Sequence, residues 1–146
     1  MLKDVSPYFV FDGNAAEAIE FYSNVFHTKI LDVTYFRDMP ADPDFPMTDD
    51  VKDLVLNGSI ELPNGGTFMF SDNMPGMPFT IGNQITTAII FDHVEDTRAT
   101  YEKLSADGQI VMPLQETYWS PLYGNLTDKF GNQWQLDTLS ENNEQN

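Results

Sequence analysis

Few side chains in this sequence are of the types that drive a reaction. The chain contains no cysteine and only two histidines, His27 and His93. Without cysteine, a disulfide framework, a thiolate zinc site, an iron–sulfur cluster and a cysteine nucleophile are excluded. Ser59, Ser71 and Ser120 lie in no Gly-x-Ser-x-Gly segment, and no two carboxylates have the spacing of an acid and base pair. Hydrolysis is therefore not indicated.

Local structure accounts for both histidines. His27 follows Phe26 at the predicted end of a helix, where an imidazolium stabilises the negative end of the helix dipole. His93 follows Phe91-Asp92, in a solvent-facing turn at the start of another predicted helix. We expect neither histidine to be a metal ligand.

The acidic residues set the charge of the chain without forming a metal loop. Twenty-three Asp and Glu against seven Lys and Arg give a net charge of −16, which repels nucleic-acid phosphates and anionic membranes. Weak calcium binding is conceivable at one acidic cluster, but its spacing favours a solvated loop. The cluster consists of Asp38, Asp42, Asp44, Asp49, Asp50 and Asp53. Lacking a long apolar stretch or a signal-peptide pattern, the chain is predicted to be soluble and cytoplasmic.

Aromatic residues offer the clearest binding chemistry. Tyr118-Trp119 and Tyr123 place three large rings around the short turn at 120–122, and Trp134-Gln135 follows in an alternating segment. A flat or aromatic ligand could stack on these rings. The alternative is that some of them, Trp134 and Tyr118 above all, fill the core or a dimer interface.

The elements that must position these residues occur twice along the chain. Phe11-Asp12 and Phe91-Asp92 each end an apolar run before a helical pattern, at an offset of 80 residues. Gly58–Asp72 aligns with Gly124–Thr138 at an offset of 66, and the missing 14 residues match an insertion at 37–53 that contains three prolines. The pattern predicts a tandem duplication.

Each repeat is predicted to be a βαβββ unit of an α+β fold. In the first, Asn14 is expected to cap a helix whose apolar stripe runs from Ala15 to Phe26, with Glu17 reaching back to the cap. The predicted strands are 8–11, 29–36, 53–61 and 67–71, with a turn at 64–66. In the second, a helix over about 95–106 stops at Gly108, and the strands are 85–91, 109–112, 116–119, 124–128 and 133–138.

The organisation is predicted to be a single domain over 1–146 built from these two repeats. Repeat one covers about 5–72, repeat two covers about 85–138, and a linker at 73–84 with Pro, Gly and no periodicity joins them. Residues 139–146 form a polar tail.

Such a doubled unit resembles the vicinal oxygen chelate superfamily, which includes glyoxalase I, bleomycin-resistance proteins and extradiol dioxygenases. Several sequence motifs resemble those of its PhnB-like branch. They are Phe11-Asp12-Gly13-Asn14-Ala15, Ser71-Asp72 with Pro75-Gly76, and Met112-Pro113-Leu114-Gln115-Glu116-Thr117 with Trp119, Tyr123-Gly124, Asp128, Phe130-Gly131 and Trp134. The resemblance spans about Pro7 to Thr138 and implies curled sheets, clefts for small molecules and homodimers. Nothing in the chain resembles the glycine-rich loop of a nucleotide-type cofactor site.

The resemblance also implies metal positions on the first and last strand of each unit. They fall near Pro7 or Tyr8, near Thr86 or Thr87, and on Met69 and Gln135. Of these only the Gln135 amide could coordinate a divalent ion, and a neutral amide does so weakly. We therefore expect the family metal to be lost and predict no cofactor.

If one face of the last strand lines a cleft, Gln135 supplies its polar group, because Gln133, Gln135 and Asp137 alternate with Trp134 and Leu136. By the same alignment the remaining candidates are Asn57, Met69, Tyr8, Tyr35 and Thr87. The leading hypothesis is a homodimeric small-molecule-binding protein without metal. The alternatives are a lyase, isomerase or dioxygenase-type enzyme acting through Gln135, Tyr or Glu, and a structural or partner-binding module.

Overall fold

The fold is known from a computed structural model that describes residues 1–140. The chain divides into two compact units. The boundary falls between Phe79 and Thr80, inside the segment 73–84, which contains no helix or strand. Each unit contains one helix and a four-stranded mixed sheet. The predicted α+β architecture with two repeated halves is confirmed.

Unit one contains β1 (Tyr8–Phe11), α1 (Ala15–Phe26), β2 (Ile30–Tyr35), β3 (Val55–Glu61) and β4 (Thr67–Asp72). The strands lie in the order β1-β4-β3-β2, with β1 parallel to β4 and the other neighbours antiparallel. The predicted insertion follows β2 as a short 3-10 helix, Phe36–Asp38, and a loop with one isolated bridge between Asp42 and Phe45.

Unit two repeats this arrangement with β5 (Thr87–Phe91), α2 (Val94–Leu104), β6 (Gln109–Gln115), β7 (Tyr123–Thr127) and β8 (Gln133–Thr138). Its strand order, β5-β8-β7-β6, is that of unit one, and β5 is again parallel to its neighbour β8.

One strand of the sequence-based prediction is wrong. The segment 116–119 is a bend rather than a strand, and β6 continues from Gln109 to Gln115 instead of ending at Met112. The aromatic residues at 118 and 119 favour a strand locally. The chain must nevertheless leave the sheet there to return as β7. Pro113 fits because β6 is an edge strand.

Helix α1 forms because its apolar residues recur at three- and four-residue steps and therefore share one stripe. The buried residues of that stripe are Ala15, Ala18, Ile19, Tyr22, Val25 and Phe26. The stripe packs on β3 and β4, where the Tyr22 and Phe70 rings stack at 5.8 Å. Full burial of a side chain of this size stabilises the fold by about 1.5–3 kcal/mol.

The N-terminus of α1 is capped by a distant carboxylate and not, as predicted, by Asn14, whose side chain makes no cap hydrogen bond. Asp72, at the end of β4, is 8% exposed. Its Oδ1 accepts hydrogen bonds from the backbone N–H of Gly13 (3.0 Å) and Ala15 (2.9 Å), and its Oδ2 accepts one from Val55 (2.9 Å). One carboxylate therefore joins the helix start to two strands.

Unit two uses hydroxyl groups at the corresponding place. Thr138, which aligns with Asp72, donates to the Leu122 carbonyl oxygen at 2.8 Å, and its Oγ1 lies 2.6 Å from that of Thr97 on α2. Ser120 completes the cluster by donating to the Thr138 carbonyl oxygen at 2.9 Å. All three hydroxyl-bearing residues are buried.

Each helix is followed, within three residues of its last residue, by a residue in the left-handed region. His27 has φ 52° and Asp107, eighty positions later, has φ 58°. The equivalence supports the repeat alignment at a position where non-glycine residues are uncommon. Neither helix within residues 1–140 has the length and apolar character required to cross a membrane.

Candidate functional site

Each sheet has a helix face and a face turned away from its helix, which we call the far face. In unit two the helix face carries Trp134, Leu136 and Thr138, which are buried, while Gln133, Gln135 and Asp137 alternate with them on the far face and are only partly buried. The predicted alternation of β8 is confirmed. The far face is the surface on which candidate ligand groups can meet solvent.

Strand register brings Tyr123, Asn125 and Gln135 together on the far face of unit two. Asn125 pairs with Gln135, and Gly124 pairs with Leu136, so that Tyr123 is the next residue opposite Asp137. The Tyr123 hydroxyl donates to Oε1 of Gln135 at 2.5 Å. This bond fixes the phenol and the amide relative to each other across the two strands.

The predicted aromatic residues do form one group beside this row. The Trp119 ring lies 5.3 Å from that of Tyr123 and 4.9 Å from that of Tyr118, with interplanar angles of 72° and 85°. We call Tyr118, Trp119 and Tyr123 the aromatic corner, because adjacent rings are nearly perpendicular. Tyr118 is 98% exposed and Trp119 is 42% exposed, so both present ring surface to solvent.

Ser120 holds the loop that carries the aromatic corner. It is 3% exposed, and its hydroxyl is bonded to the end of β8, as described above. The backbone N–H of Thr117 donates to the Ser120 carbonyl oxygen at 2.9 Å, which closes the turn around residues 118 and 119. The position of Trp119 is therefore set by a buried anchor next to it in sequence.

Several polar groups on this face have no protein partner within the described chain. The amide nitrogen of Gln135, both amide atoms of Asn125 and the indole N–H of Trp119 make no hydrogen bond with residues 1–140. The two amide side chains are partly buried and Trp119 is exposed, so all of these groups can donate to or accept from a bound molecule. A site of this kind orients a ligand with few polar groups beside an aromatic surface.

The far face of unit one has a different composition. Tyr8 pairs with Met69, which pairs with Ser59, and Asn57 lies two residues along the same strand. Tyr8 is 47% exposed. Three of the unit-one candidates, Tyr8, Asn57 and Met69, therefore share one face.

Tyr35, the fourth unit-one candidate, lies beyond an irregularity in the β2–β3 ladder, paired with the buried Val55. The Arg37 guanidinium covers its ring at 4.1 Å. An intramolecular cation therefore occupies one surface of this ring.

Two predicted site residues lie on the helix face instead. Trp134 is fully buried, and its indole N–H donates to Oδ2 of Asp128 at 2.8 Å. Thr87 pairs with Trp134 in register, so it shares that face. Trp134 therefore fills the core, the alternative that the sequence left open for it, and Thr87 lies on the same face rather than beside Gln135. Alternation separates two faces of a strand but does not say which face the helix covers.

The same register relocates the family's metal position in unit two. Tyr8 pairs with Met69, and the equivalent pair is Ala88 with Gln135, so the first-strand position is Ala88 rather than Thr86 or Thr87. A phenol, a thioether, a methyl group and an amide do not fit a divalent cation, which prefers imidazole and carboxylate ligands. Within residues 1–140 no three His, Asp or Glu side chains are grouped so that they could hold a metal ion.

The histidines lie where the sequence indicates, away from these strands. His27 ends α1 on an exposed surface, and His93 precedes α2 with a side chain that is 70% exposed. In the acidic cluster, Asp53 is paired with Arg37 at 2.9 Å and its side chain is 68% exposed.

Asn125 and Asp137 are far-face residues that sequence reasoning did not select as ligand groups. A signal for both was present: Asn125 is one residue after the glycine that aligns with Gly58, and Asp137 continues the alternation that picked out Gln135. Only the register shows that Asn125 lies directly beside Gln135.

Comparison with known proteins places these features in a family. Residues 5–136 match the model of the Glyoxalase/Bleomycin resistance protein/Dioxygenase superfamily. Protein YjdN of Escherichia coli K12 is 28% identical over 148 residues, covering 94% of this chain and 96% of YjdN. The structure of PA1353 from Pseudomonas aeruginosa has a TM-score of 0.82 at 25% identity, with 94% and 98% of the two chains covered.

A structure from Bacillus cereus, described as a putative 3-demethylubiquinone-9 3-methyltransferase, PhnB protein, is also similar. Its TM-score is 0.75 at 28% identity, and the match covers 93% of this chain and 99% of the other.

Proposed function

Because the chain belongs to the Glyoxalase/Bleomycin resistance protein/Dioxygenase superfamily, in its PhnB-like branch, we propose that it binds a small organic molecule without a metal ion. The binding surface is the far face of unit two, and the aromatic corner forms one wall. The observation that carries the proposal is the Tyr123–Gln135 hydrogen bond beside Asn125 and Trp119, a preorganised polar row next to exposed rings.

The composition of the four family metal positions supports the metal-free part of the proposal. Tyr8, Met69, Ala88 and Gln135 together offer one amide oxygen as an ordinary ligand, and that oxygen already accepts the hydrogen bond of Tyr123. Moving a divalent ion from water to such a site would exchange strong water ligands for weak ones. Binding therefore rests on ring contact and on amide hydrogen bonds.

The energies of these contacts suit moderate affinity. A neutral hydrogen bond contributes about 0.5–1.5 kcal/mol, and an aromatic pair about 0.5–1.5 kcal/mol beyond its area burial. Because the Tyr123 hydroxyl holds Gln135 in place, less side-chain entropy is lost when a ligand binds.

Native mass spectrometry of the purified chain is the first test. We expect a homodimer that retains no stoichiometric divalent metal, and a screen of organic compounds in excess chelator that still yields ligands. Stoichiometric zinc, nickel, manganese or iron, whose removal by chelator markedly lowers the melting temperature, would overturn the metal-free proposal.

Paired variants locate the site. Trp119→Ala is expected to weaken the binding of a ligand found in that screen about tenfold or more. Gln135→Ala is expected to weaken its binding about tenfold. Met69→Ala is the matched control, because Met69 occupies the Gln135 position of unit one, and it should leave affinity unchanged. Equal losses from Met69→Ala and Gln135→Ala would contradict the assignment to unit two.

A further inference from the structure

The charges on the far face of unit two restrict the class of molecule that can bind there. The strands β5 to β8 contain no Lys, Arg or His. Far-face positions on β7 and β8 carry amides, hydroxyls and one carboxylate, that of Asp137. The basic residues of unit two lie elsewhere: Arg98 and Lys103 on α2, and Lys129 in the turn before β8.

The Asp137 carboxylate has no cationic partner within residues 1–140. Its Oδ1 accepts a hydrogen bond from the backbone N–H of Thr138 at 2.9 Å, and no ion pair involves it. The side chain is partly buried. A ligand anion placed on this face would approach an uncompensated negative charge without meeting a positive one.

The aromatic corner favours the opposite charge. Ring faces carry negative electrostatic potential and attract cations, most strongly for Trp. The last paired residues of β7 and β8 are Gly124 and Leu136, and Tyr123 and Asp137 are the next residue on each strand. The Tyr123 ring lies 5.3 Å from that of Trp119. A carboxylate and two aromatic rings are therefore on neighbouring positions of the same face.

We propose that the ligand of this face is an organic cation that carries an aromatic ring. The inference rests on the proposed function and specifies its ligand. The ring contacts the aromatic corner, the positive charge lies beside Asp137, and the amides of Gln135 and Asn125 bond polar substituents. Ring compounds with a carboxylate, phosphate or phosphonate group are rejected.

Three probes with the same ring test the charge preference: N-methylquinolinium, quinoline and quinoline-2-carboxylate. Calorimetric titration at about 0.15 M salt reports local charge, because the Debye length there is about 8 Å and more distant charges of this acidic chain are screened. We expect the cation to bind at least tenfold more tightly than the carboxylate, with quinoline between them. Equal or tighter binding of the carboxylate would overturn the proposal.

Two matched variants distinguish the effect of the Asp137 carboxylate on cation affinity from the effect of the net charge of the chain. Asp137→Asn is expected to weaken N-methylquinolinium about fivefold or more and to leave quinoline within twofold. Asp32→Asn removes the same charge from the corresponding face of unit one, where Asp32 pairs with Ser59, and should change neither. Equal losses from the two variants would show that only the overall charge acts. Asp137→Glu should retain the cation preference, which separates loss of charge from loss of fold.

Failure of this proposal can be distinguished from failure of the proposed function. If the quinoline series does not bind but the compound screen yields a ligand that depends on Trp119, unit two is a binding site for another class and the cation proposal is wrong. If no compound of the screen binds, the proposed function itself falls.

Discussion

The two units share a backbone plan and differ in how they secure the start of the helix. In unit one the Asp72 carboxylate accepts three backbone N–H groups from the helix start and β3. In unit two Thr138, Thr97 and Ser120 make a network of hydroxyl groups at the equivalent place. Duplicated units can thus retain a fold while exchanging a charged anchor for a neutral one.

The far faces of the two units also carry different side chains at equivalent positions. Unit one presents Tyr8 and Met69 where unit two presents Ala88 and Gln135. A small residue at 88 leaves Gln135 without a large neighbour on β5, and the loop before β7 adds Tyr118 and Trp119 beside it. The sheet of unit two therefore has a polar row beside aromatic rings, and the sheet of unit one does not.

The largest effect is expected from removing the charged anchor. Asp72→Ala leaves the buried N–H groups of Gly13, Ala15 and Val55 without their acceptor, so we expect a loss of about 3 kcal/mol or more in the free energy of unfolding. Urea denaturation measures the loss, and hydrogen exchange should place it in unit one. Asp53→Ala is the control: it removes an exposed ion pair with Arg37 and should lower the free energy of unfolding by only about 0–1 kcal/mol. Similar losses from both would contradict the anchor role.

The next effect concerns the glycines where each helix packs on its sheet. A Cβ at Gly124 would lie 2.9 Å from the Tyr101 ring and 3.0 Å from the Met112 carbonyl oxygen, whereas at Gly58 the tight contact, at 2.6 Å, is with the end of the flexible Ile19 side chain. We expect Gly124→Ala to cost about 1–3 kcal/mol and Gly58→Ala distinctly less. Thermal unfolding of the two variants provides the measurement, and the reverse order would refute this explanation.

Breaking the hydroxyl network should cost less than breaking the charged anchor. Thr138→Val keeps the shape of the side chain but removes its bonds to Leu122 and Thr97, so we expect a loss of about 1–2 kcal/mol. Protection from hydrogen exchange should fall in unit two and remain in unit one. A loss as large as that of Asp72→Ala would mean that neutral and charged anchors are equivalent.

The smallest effect is a pH dependence that comes from Tyr101 on α2. Burial raises the pKa of Tyr101 above its usual value near 10, and its hydroxyl donates to the Met112 carbonyl oxygen at 2.9 Å. The neutral Tyr101 phenol contributes fully to the free energy of unfolding below about pH 10. Its contribution declines as the pH rises through the pKa of Tyr101 in the folded state, because this tyrosine ionises at lower pH in the unfolded chain.

Tyr101→Phe should therefore flatten the loss of stability as the pH rises above about 10. Denaturation curves at several alkaline pH values measure the slope, and an unchanged slope would assign it to other groups.

Patterns within short stretches of the sequence predicted the fold well. The site could be located only from the pairing register of the strands, which the sequence does not give. The apolar stripe of α1 and the glycine turns depend on residues close together in the sequence. The duplication is visible because short segments repeat at offsets of 80 and 66 residues. These predictions hold. The burial of Trp134 and the face of Thr87 could not be predicted, because alternation gives two sets of residues without identifying the buried one. Asp72 was missed as the helix cap because it lies 57 positions from Ala15, beyond any local signal, and it displaced Asn14 from that role.

The parallel pairing of the first strand with the last determines the order in which each unit can form. Tyr8 pairs with Met69, 61 positions later, whereas β3 and β4 are joined by a five-residue connection. Closing the short connection costs less chain entropy, so the meander of β2, β3 and β4 is expected to assemble before β1 docks at its edge. During synthesis β1 therefore emerges first and is the strand that must wait for a partner. Because that partner is complete at Asp72, unit one can close before the ribosome has made β5.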